Sequence, residues 1–318
     1  MDDQILDSAF IQADFLEFVD GLIVIRNGEI IAEDYYNGYD ENTPHNVKSV
    51  SKSFLSAITG IALYQGLIDS LGEKVLDYFP EYIYEQMDER KYDITIRHLL
   101  TMQMGIDREA NNDYELYNQI YYSDDWLKST IELPLLSDPG ASMRYNTFQT
   151  HLLSAVIDKS TDKNLLEYAT DNLFNPMGID IEIWEQGPKG YYFGGNSMYF
   201  TPREMAVLGY LFLNDGKLNN QQIIQSEWVD LSLTKTWDED NPEWGVLTDY
   251  NYGYLWWLGK INGYDLFMAL GYGGQLLVAF PTINLIVVST ADHNIPPDVS
   301  QTQPILKIIS DYILPAVN

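Results

Sequence analysis

A serine and a lysine stand three residues apart in the segment HNVKSVSKSFLSAITG, as Ser49 and Lys52. A serine hydroxyl attacks a carbonyl only when a neighbouring base takes its proton, and an uncharged lysine amine can be that base. The spacing alone does not identify a site, because Ser-x-x-Lys occurs three times, also at Ser160/Lys163 and Ser232/Lys235. Those two pairs lie in polar or acidic stretches that are typical of solvated loops.

The segment around Ser49 and Lys52 has a different character. Apolar residues occupy most faces from Ser51 to about Gln65, which predicts a buried helix that ends at Gly66. Ser49 and Lys52 would share one face of its first turn. Burial and the positive end of the helix dipole both disfavour a charged lysine, so Lys52 could take the proton of Ser49. The Ser49 N–H could then donate to an oxyanion. A helix cap at Ser49 with a surface cation at Lys52 is the alternative, and this segment leaves both open.

The composition limits the partners of the protein. The net charge of −29 argues against nucleic acid and anionic membranes, which bind basic surfaces. The chain has no cysteine, which excludes disulfides and thiolate zinc sites, and its four histidines have no metal-binding spacing, so we expect no metal or cofactor. The acidic start shows no signal peptide, and no apolar run reaches the roughly 18 residues of a membrane span. The compartment stays open: periplasmic or secreted if a leader was removed, otherwise cytoplasmic. The oligomeric state is also open.

The elements that must position a site follow from patterning. Two β-branched runs joined by Asn27-Gly28 predict a hairpin from Leu22 to Tyr36. Four more strands are predicted in YGYLWWL, YDLFMAL, QLLVAF and NLIVVST, before a last helix from about Thr302 to Ile313. We therefore predict an α/β (α+β) fold with a mainly antiparallel sheet built from both termini. Its lobe comprises 1–75 and 236–318, a mainly helical lobe comprises 76–235, and the site lies in the cleft between them.

Three tyrosines are further candidates. Tyr145 precedes an apolar helical segment together with Asn146, and a tyrosine hydroxyl near a lysine can relay a proton to a leaving group. Tyr114 and Tyr117 lie in the tyrosine-rich, acidic stretch 111–126, which could cover the cleft and contact substrate through its rings. Packing of these rings on a surface helix is an equal alternative for the stretch.

Five segments in order carry a family resemblance: HNVKSVSKSF, RHLLTMQMGID, PGASMRYNT, TPREMAVLGYLFLNDG and ALGYGGQLLVAFP. Together they resemble the serine β-lactamase and penicillin-binding-protein superfamily. Within it they are most similar to the class C β-lactamase-related branch, with family VIII esterases and 6-aminohexanoate-dimer hydrolases. The resemblance covers about residue 22 to 290 and implies a β-lactamase/transpeptidase-like fold.

The resemblance also implies roles for individual residues. It makes Ser49 the acylated nucleophile, Lys52 its general base and Tyr145 the group that protonates the leaving group. In the family an asparagine often follows this tyrosine by two places. Here Thr147 stands there and Asn146 is displaced by one, and both are candidates for holding the substrate.

The third motif of the family lies on a strand lining the cleft and usually includes a cation or an imidazole. The matching segment here is Ala269-Leu270-Gly271-Tyr272, which has neither. That absence argues against efficient β-lactam or D-Ala-D-Ala chemistry. The Tyr272 N–H is expected as the second oxyanion donor, with Gly273 as the alternative, and Gly271 and Gly274 would let the backbone approach the substrate. A tight β-turn alone is the other explanation of these glycines.

The sequence thus predicts a serine hydrolase that acts on a small-molecule ester or amide through an acyl-enzyme, with a carboxylesterase favoured. One alternative is a D-Ala-D-Ala carboxypeptidase, a β-lactamase or an amide-oligomer hydrolase. Another, of a different class, is a non-catalytic peptide- or glycan-binding protein.

Overall fold

A seven-stranded antiparallel sheet forms the centre of the protein, for which a computed structural model describes residues 1–108, 115–237, 243–296 and 300–317. The strands of the described residues are β1 Val19–Arg26, β2 Glu29–Tyr35, β3 His45–Asn46, β4 Tyr199–Phe200, β5 Lys217–Leu218, β6 Gln221–Gln222, β7 Thr248–Tyr252, β8 Trp257–Ile261, β9 Tyr264–Gly271, β10 Gln275–Phe280 and β11 Leu285–Ala291. The central sheet has the order β2-β1-β11-β10-β9-β8-β7, and its neighbouring strands are antiparallel. The predicted antiparallel sheet built from both ends of the chain is confirmed.

Helices and helical turns occupy most of the segment between these two groups of strands. The α-helices are α1 Asp3–Phe15, α2 Ser51–Tyr64, α3 Val75–Tyr78, α4 Ile96–Leu100, α5 Glu115–Tyr121, α6 Trp126–Glu132, α7 Thr147–Ser160, α8 Leu165–Ala169, α9 Asn175–Met177, α10 Pro202–Leu213, α11 Ser226–Ser232, α12 Thr302–Ile308 and α13 Leu314–Val317. Short 3₁₀ turns lie at Lys48–Val50, Pro80–Tyr82, Glu89–Asp93 and Pro281–Ile283, and π-helical turns at Thr170–Phe174 and Ile309–Ile313. No helix of the described residues is long and apolar enough to cross a membrane.

The sheet is covered on both faces. One face of β1, with Ile23 and Ile25, packs into a core shared with α2, α7 and α10. The opposite face, with Leu22 and Val24, packs against α1 and the C-terminal helices α12 and α13. Because side chains alternate along a strand, burial on both faces favours consecutive apolar residues, which explains the runs LIVI in β1, LLVAF in β10 and LIVV in β11.

Local signals predicted several elements correctly. Asn27 and Gly28 connect β1 to β2 with φ of 52° and 81°, the left-handed pair that a tight hairpin requires. Helix α2 ends at Tyr64, shortly before Gly66 at φ 73°, and is buried from Ser51 to Ala62. Helix α10 begins with the capping box that the Thr-x-x-Glu spacing of Thr201 and Glu204 predicts: the Thr201 side chain accepts from the Glu204 N–H, and the Glu204 carboxylate accepts from the Thr201 N–H.

The segment YGYLWWL is not one strand, which corrects the prediction. It ends β7 and begins β8, with a turn between them. Leu255 adopts φ 62° inside this turn, and its N–H donates to the Leu100 carbonyl at 3.1 Å, which a continuous ladder would not allow. The Ser53 hydroxyl donates to the Leu255 carbonyl at 2.8 Å, so the turn is fixed to α2. A positive φ at a leucine has no signature in the sequence.

Two further elements differ from the expectation. The helical spacing of ITIRHLLTMQM predicts a longer helix than α4, which ends at Leu100 because Met102 follows it at φ 57°. Helix α1 was not predicted; the Asp2 carboxylate caps it by accepting from Gln4 and Ile5, and it buries Leu6, Ala9 and Ala13. The division into a sheet lobe, 1–75 and 236–318, and a helical lobe, 76–235, stays our proposal.

Candidate active site

Ser49 lies in the 3₁₀ turn Lys48–Val50, which runs directly into α2. The Lys48 N–H donates to Asn46 Oδ1 at 3.0 Å and the Val50 N–H donates to the Val47 carbonyl at 3.1 Å, which fixes the turn at both ends. Lys48 adopts φ 51°. Non-glycine residues seldom adopt this conformation, and it is found preferentially at functional sites.

Lys52 is buried, with 1% of its surface exposed, and its amine reaches Ser49. Lys52 Nζ donates to Ser49 Oγ at 2.8 Å, to the Gly195 carbonyl at 2.8 Å and to Thr147 Oγ1 at 3.1 Å. These three acceptors come from three separate segments of the chain. The pair that its apolar helical context singled out is therefore in direct contact, with the lysine buried.

The oxygens around Lys52 can satisfy either protonation state of the amine. An ammonium donates to all three of them. A neutral amine keeps two N–H donors, for the Gly195 carbonyl and Thr147, and its lone pair can accept from the Ser49 hydroxyl, which is both donor and acceptor. Only the direction of the Ser49 contact must reverse. The geometry thus permits proton transfer between Ser49 and Lys52 without movement of heavy atoms.

Tyr145 contacts Lys52 through its ring. Lys52 Nζ lies 4.9 Å from the ring centroid, within the range of a cation–π contact. The backbone before Tyr145 is fixed, because the Arg144 N–H donates to the Met102 carbonyl at 2.8 Å and Gln149 Nε2 donates to the Arg144 carbonyl at 2.8 Å. The turn at Met102 that ends α4 early therefore supports the loop carrying Tyr145.

An aromatic wall extends from Tyr145 towards the edge of the sheet. Trp257 stacks on Tyr145 with ring centroids 5.5 Å apart. Tyr250 stacks on Trp257 with ring centroids 4.8 Å apart and an angle of 7° between the ring planes. Tyr252 meets Tyr145 edge-on at 6.2 Å. Burial raises the pKa of Tyr252 well above its usual range, so this hydroxyl stays protonated.

Asn146 and Thr147 have different positions, although both were candidates for holding substrate. Asn146 is fully buried and caps α7: its Oδ1 accepts from the Phe148 N–H at 2.9 Å and its Nδ2 donates to the Asp107 carbonyl at 3.2 Å. Both polar atoms of the Asn146 amide are thus used within the protein. Thr147 is 3% exposed and presents Oγ1 to Lys52. Asn146 thus caps α7 and Thr147 contacts the amine, and the role of either residue in holding the substrate stays a prediction.

The third motif lies against the turn that carries Ser49. β9 ends at Gly271, where a Cβ atom would lie 2.4 Å from the Val47 carbonyl oxygen and 3.3 Å from Lys48 Cβ. Only glycine permits this approach. Gly273 and Gly274 follow with φ of 81° and 87° and turn the chain into β10, while the Tyr272 side chain is 44% exposed. The backbone of Tyr272 thus directly follows the residue that touches the Ser49 turn.

Of the two tyrosines proposed from the stretch 111–126, Tyr114 lies outside the described residues. Tyr117 is half-buried on α5, where it stacks on Tyr121 at 5.6 Å and contacts Phe148 at 5.3 Å. The packing alternative accounts for these contacts of Tyr117.

The glycines of FGGNS were missed by the sequence analysis. Gly195 supplies the carbonyl that accepts from Lys52, and a Cβ there would lie 2.2 Å from Thr150 Oγ1 and 2.8 Å from Thr147 Cγ2. At Gly194, a Cβ would lie 2.3 Å from the Thr150 carbonyl oxygen. Paired glycines in a turn-rich segment were the only signal, and it does not name the partner.

The other two Ser-x-x-Lys pairs do not resemble the site. Lys163 forms an exposed ion pair with Asp171. Ser232 is fully buried, whereas Lys235 is exposed. Within the described residues, no three His, Asp or Glu side chains are grouped so that they could hold a metal ion.

A match to a protein family extends over nearly the whole chain. Residues 17–308 match the Beta-lactamase family. The chain belongs to the Beta-lactamase family. This agrees with the resemblance seen in the five segments, which lie inside the matched range.

Individual proteins are similar to the chain at low identity. The 6-aminohexanoate-dimer hydrolase of Paenarthrobacter ureafaciens is 24% identical over 292 residues, 85% of this chain and 71% of the relative. The structure of EstCE1, a hydrolase with promiscuous acyltransferase activity, aligns with a TM-score of 0.78 at 15% identity over 98% of this chain and 99% of the other. The structure of the octameric penicillin-binding protein homologue from Pyrococcus abyssi aligns with a TM-score of 0.73 at 17% identity. The alignment covers 99% of this chain and 77% of the other. At these identities the two structures establish the shared fold.

Proposed function

We propose that the protein is a serine hydrolase that cleaves carboxylic esters through an acyl-enzyme on Ser49. The observation that carries the proposal is the 2.8 Å contact between Ser49 Oγ and the amine of Lys52, which is 1% exposed. Removal from water disfavours an ammonium more than an amine, so burial favours the form of Lys52 that can accept a proton. The Gly195 carbonyl and Thr147 hold that amine in place.

The proposed reaction has two halves. Ser49 Oγ attacks the ester carbonyl while its proton moves to Lys52, and the oxyanion accepts from the N–H groups of Ser49 and Tyr272. The C–O bond then breaks, Tyr145 gives its hydroxyl proton to the departing alkoxide, and Lys52 returns a proton to Tyr145. In the second half, water attacks the acyl-enzyme and loses a proton through Tyr145 and Lys52, and Ser49 leaves with its hydroxyl restored.

An ester is preferred over an amide for a chemical reason. The segment Ala269-Leu270-Gly271 lacks the cation that the related family motif usually has at this strand, and an alkoxide leaves more easily than an amine. Amide oligomers are the second candidate, because a relative at 24% identity is a 6-aminohexanoate-dimer hydrolase. β-Lactams and D-Ala-D-Ala peptides belong in the same substrate panel.

The test is a hydrolysis screen with matched variants. Ser49→Ala should abolish hydrolysis of p-nitrophenyl acetate and butyrate, and Lys52→Met should lower the rate at neutral pH by a factor on the order of 10³ or more, because the two act as a unit. Ser160→Ala is the control, since Ser160 belongs to another Ser-x-x-Lys pair and donates to the Val156 carbonyl within α7. It should retain the wild-type rate.

Two results would contradict the proposal. If the Lys52→Met enzyme hydrolysed esters at nearly the wild-type rate, Lys52 would not be the general base. If a fluorophosphonate fails to label Ser49 and no ester, amide or β-lactam is turned over, the protein is a binding protein that keeps the fold.

A further inference from the structure

A cavity of about 710 Å³ opens beside Tyr145, within the usual size of small-molecule sites. Besides Tyr145, its aromatic lining residues are Trp237, Trp244, Tyr250 and Trp257, and Leu270 of β9 also lines it. Leu270 directly precedes Gly271, which contacts the Ser49 turn. The cavity therefore adjoins both the tyrosine and the strand of the proposed reaction.

The aromatic lining is continuous. Trp244 contacts Tyr250 at 5.6 Å, Tyr250 stacks on Trp257 at 4.8 Å, and Trp257 stacks on Tyr145 at 5.5 Å. Burial raises the pKa of Tyr250 well above its usual range, and the neighbouring Tyr145 adds to this, so the Tyr250 hydroxyl stays neutral. Flat rings held in this way are suited to stacking against a planar aromatic group.

The same cavity contains two guanidinium groups, although the chain has only 18 basic residues against 47 acidic ones. Arg144 Nη1 lies 4.0 Å from Asp107 Oδ1, at the limit of an ion pair, and no described residue accepts a hydrogen bond from its buried Nε. No carboxylate of the described residues lies within 4.0 Å of Arg108. The charge of Arg108 acts on Tyr250, opposing the effect of burial. Among the described residues, neither guanidinium is fully paired, and two such groups beside aromatic rings favour an anion carried on an aromatic ring.

We propose that this cavity binds the leaving group of the substrate, and that it selects a leaving group with an aromatic ring and a carboxylate. The inference rests on the proposed function for its assignment to the leaving group: Tyr145, the proposed proton donor to that group, lines the cavity. Arg108 and Arg144 are then specificity-determining residues that hold the carboxylate, and the aromatic lining residues of the cavity supply the ring contact.

The test uses acetate esters that differ only in the leaving alcohol. The substrates are 4-(acetoxymethyl)benzoate, its methyl ester and benzyl acetate. A carboxylate held by a guanidinium gains a charge-assisted hydrogen bond, so kcat/KM for the anionic ester should exceed that of its methyl ester by about 10-fold or more. Arg108→Gln and Arg144→Gln should each reduce this ratio several-fold. Arg203→Gln, which removes a guanidinium paired with Glu33 outside the cavity, should leave the ratio unchanged.

A binding measurement separates this inference from the proposed function. In the Ser49→Ala protein, 4-(hydroxymethyl)benzoate should change the tryptophan fluorescence and bind about 10-fold more tightly than benzyl alcohol. Adding Arg108→Gln or Arg144→Gln should remove that preference. If kcat/KM were equal for the charged and neutral esters while Ser49-dependent turnover of p-nitrophenyl acetate was present, the proposed selectivity of the cavity would be wrong. The proposed hydrolase activity would be unaffected by that result. Absence of all Ser49-dependent turnover would show that the proposed hydrolase activity is wrong. In that case, tighter binding of 4-(hydroxymethyl)benzoate than of benzyl alcohol would still support the cavity as a site for an aromatic carboxylate, and equal binding would rule it out.

Discussion

Replacement of Gly271 by alanine tests whether the end of β9 and the Ser49 turn must fit closely. The added Cβ would lie 2.4 Å from the Val47 carbonyl oxygen, whereas ordinary contacts begin at about 3.4 Å. Val47 is fully buried and its N–H donates to the Met198 carbonyl at 3.0 Å. The turn or the strand must therefore move by about 1 Å.

That movement should lower the rate while the protein stays folded. Overpacking by one methyl group typically costs about 1–3 kcal/mol of folding free energy. A displacement of about 1 Å between reacting groups can lower the rate about 100-fold. We therefore expect Gly271→Ala to remain folded and to lose about two orders of magnitude in kcat for p-nitrophenyl butyrate.

Gly72→Ala is the matched control for Gly271→Ala. Gly72 is exposed and a Cβ there would meet only Ser70 Oγ, at 3.5 Å. Far-UV circular dichroism and urea unfolding would establish that both variants fold, and initial rates would give kcat. A Gly271→Ala enzyme within threefold of the wild-type kcat would refute the idea that this close approach sets the geometry of the site.

Two other predictions concern α7. Thr147→Val removes one acceptor of Lys52 Nζ while the side chain keeps nearly the same shape. Because a buried donor that loses its partner costs about 1–3 kcal/mol, kcat should fall about 10-fold. Thr147→Ser, which keeps the hydroxyl, should have the wild-type kcat. If Thr147→Val and Thr147→Ser behave alike, the hydroxyl does not position the amine. Burial lowers the pKa of His151 from 6.5 to about 4, so between these values the unfolded chain binds more protons and stability rises with pH. Urea unfolding should show a loss of about 2 kcal/mol between pH 7 and pH 5 that is absent in His151→Gln, and identical pH dependences would contradict the assignment.

Features encoded within a few residues were predictable from the sequence. The Asn27-Gly28 turn, the buried face of α2 and the capping box of α10 each depend on local conformational preferences. The contact of Ser49 with Lys52 was also predictable, because side chains three positions apart lie on the same face of a helix. These signals were sufficient for the antiparallel sheet and for the pair at the centre of the site.

Features that depend on distant segments were not predictable. Arg108, Arg144 and Tyr250 meet in one cavity although they are far apart in the chain, and single-sequence patterns do not reveal such pairing. The Gly195 carbonyl accepts from Lys52, which lies 143 positions away, so no local pattern indicates the role of this glycine. The left-handed turn at Leu255 was missed because the leucine adopts a conformation that its own preferences disfavour.

The amine of Lys52 connects parts of the chain that are remote in sequence. Its acceptors Thr147 and Gly195 lie 95 and 143 positions away. Contacts of such separation form slowly during folding, since long loops must close first. A chain with only local helices and hairpins would have Ser49 near Lys52 but nothing to hold the amine. Recovery of ester turnover after dilution from denaturant would therefore lag behind recovery of secondary structure, and it would report the final assembly of the molecule.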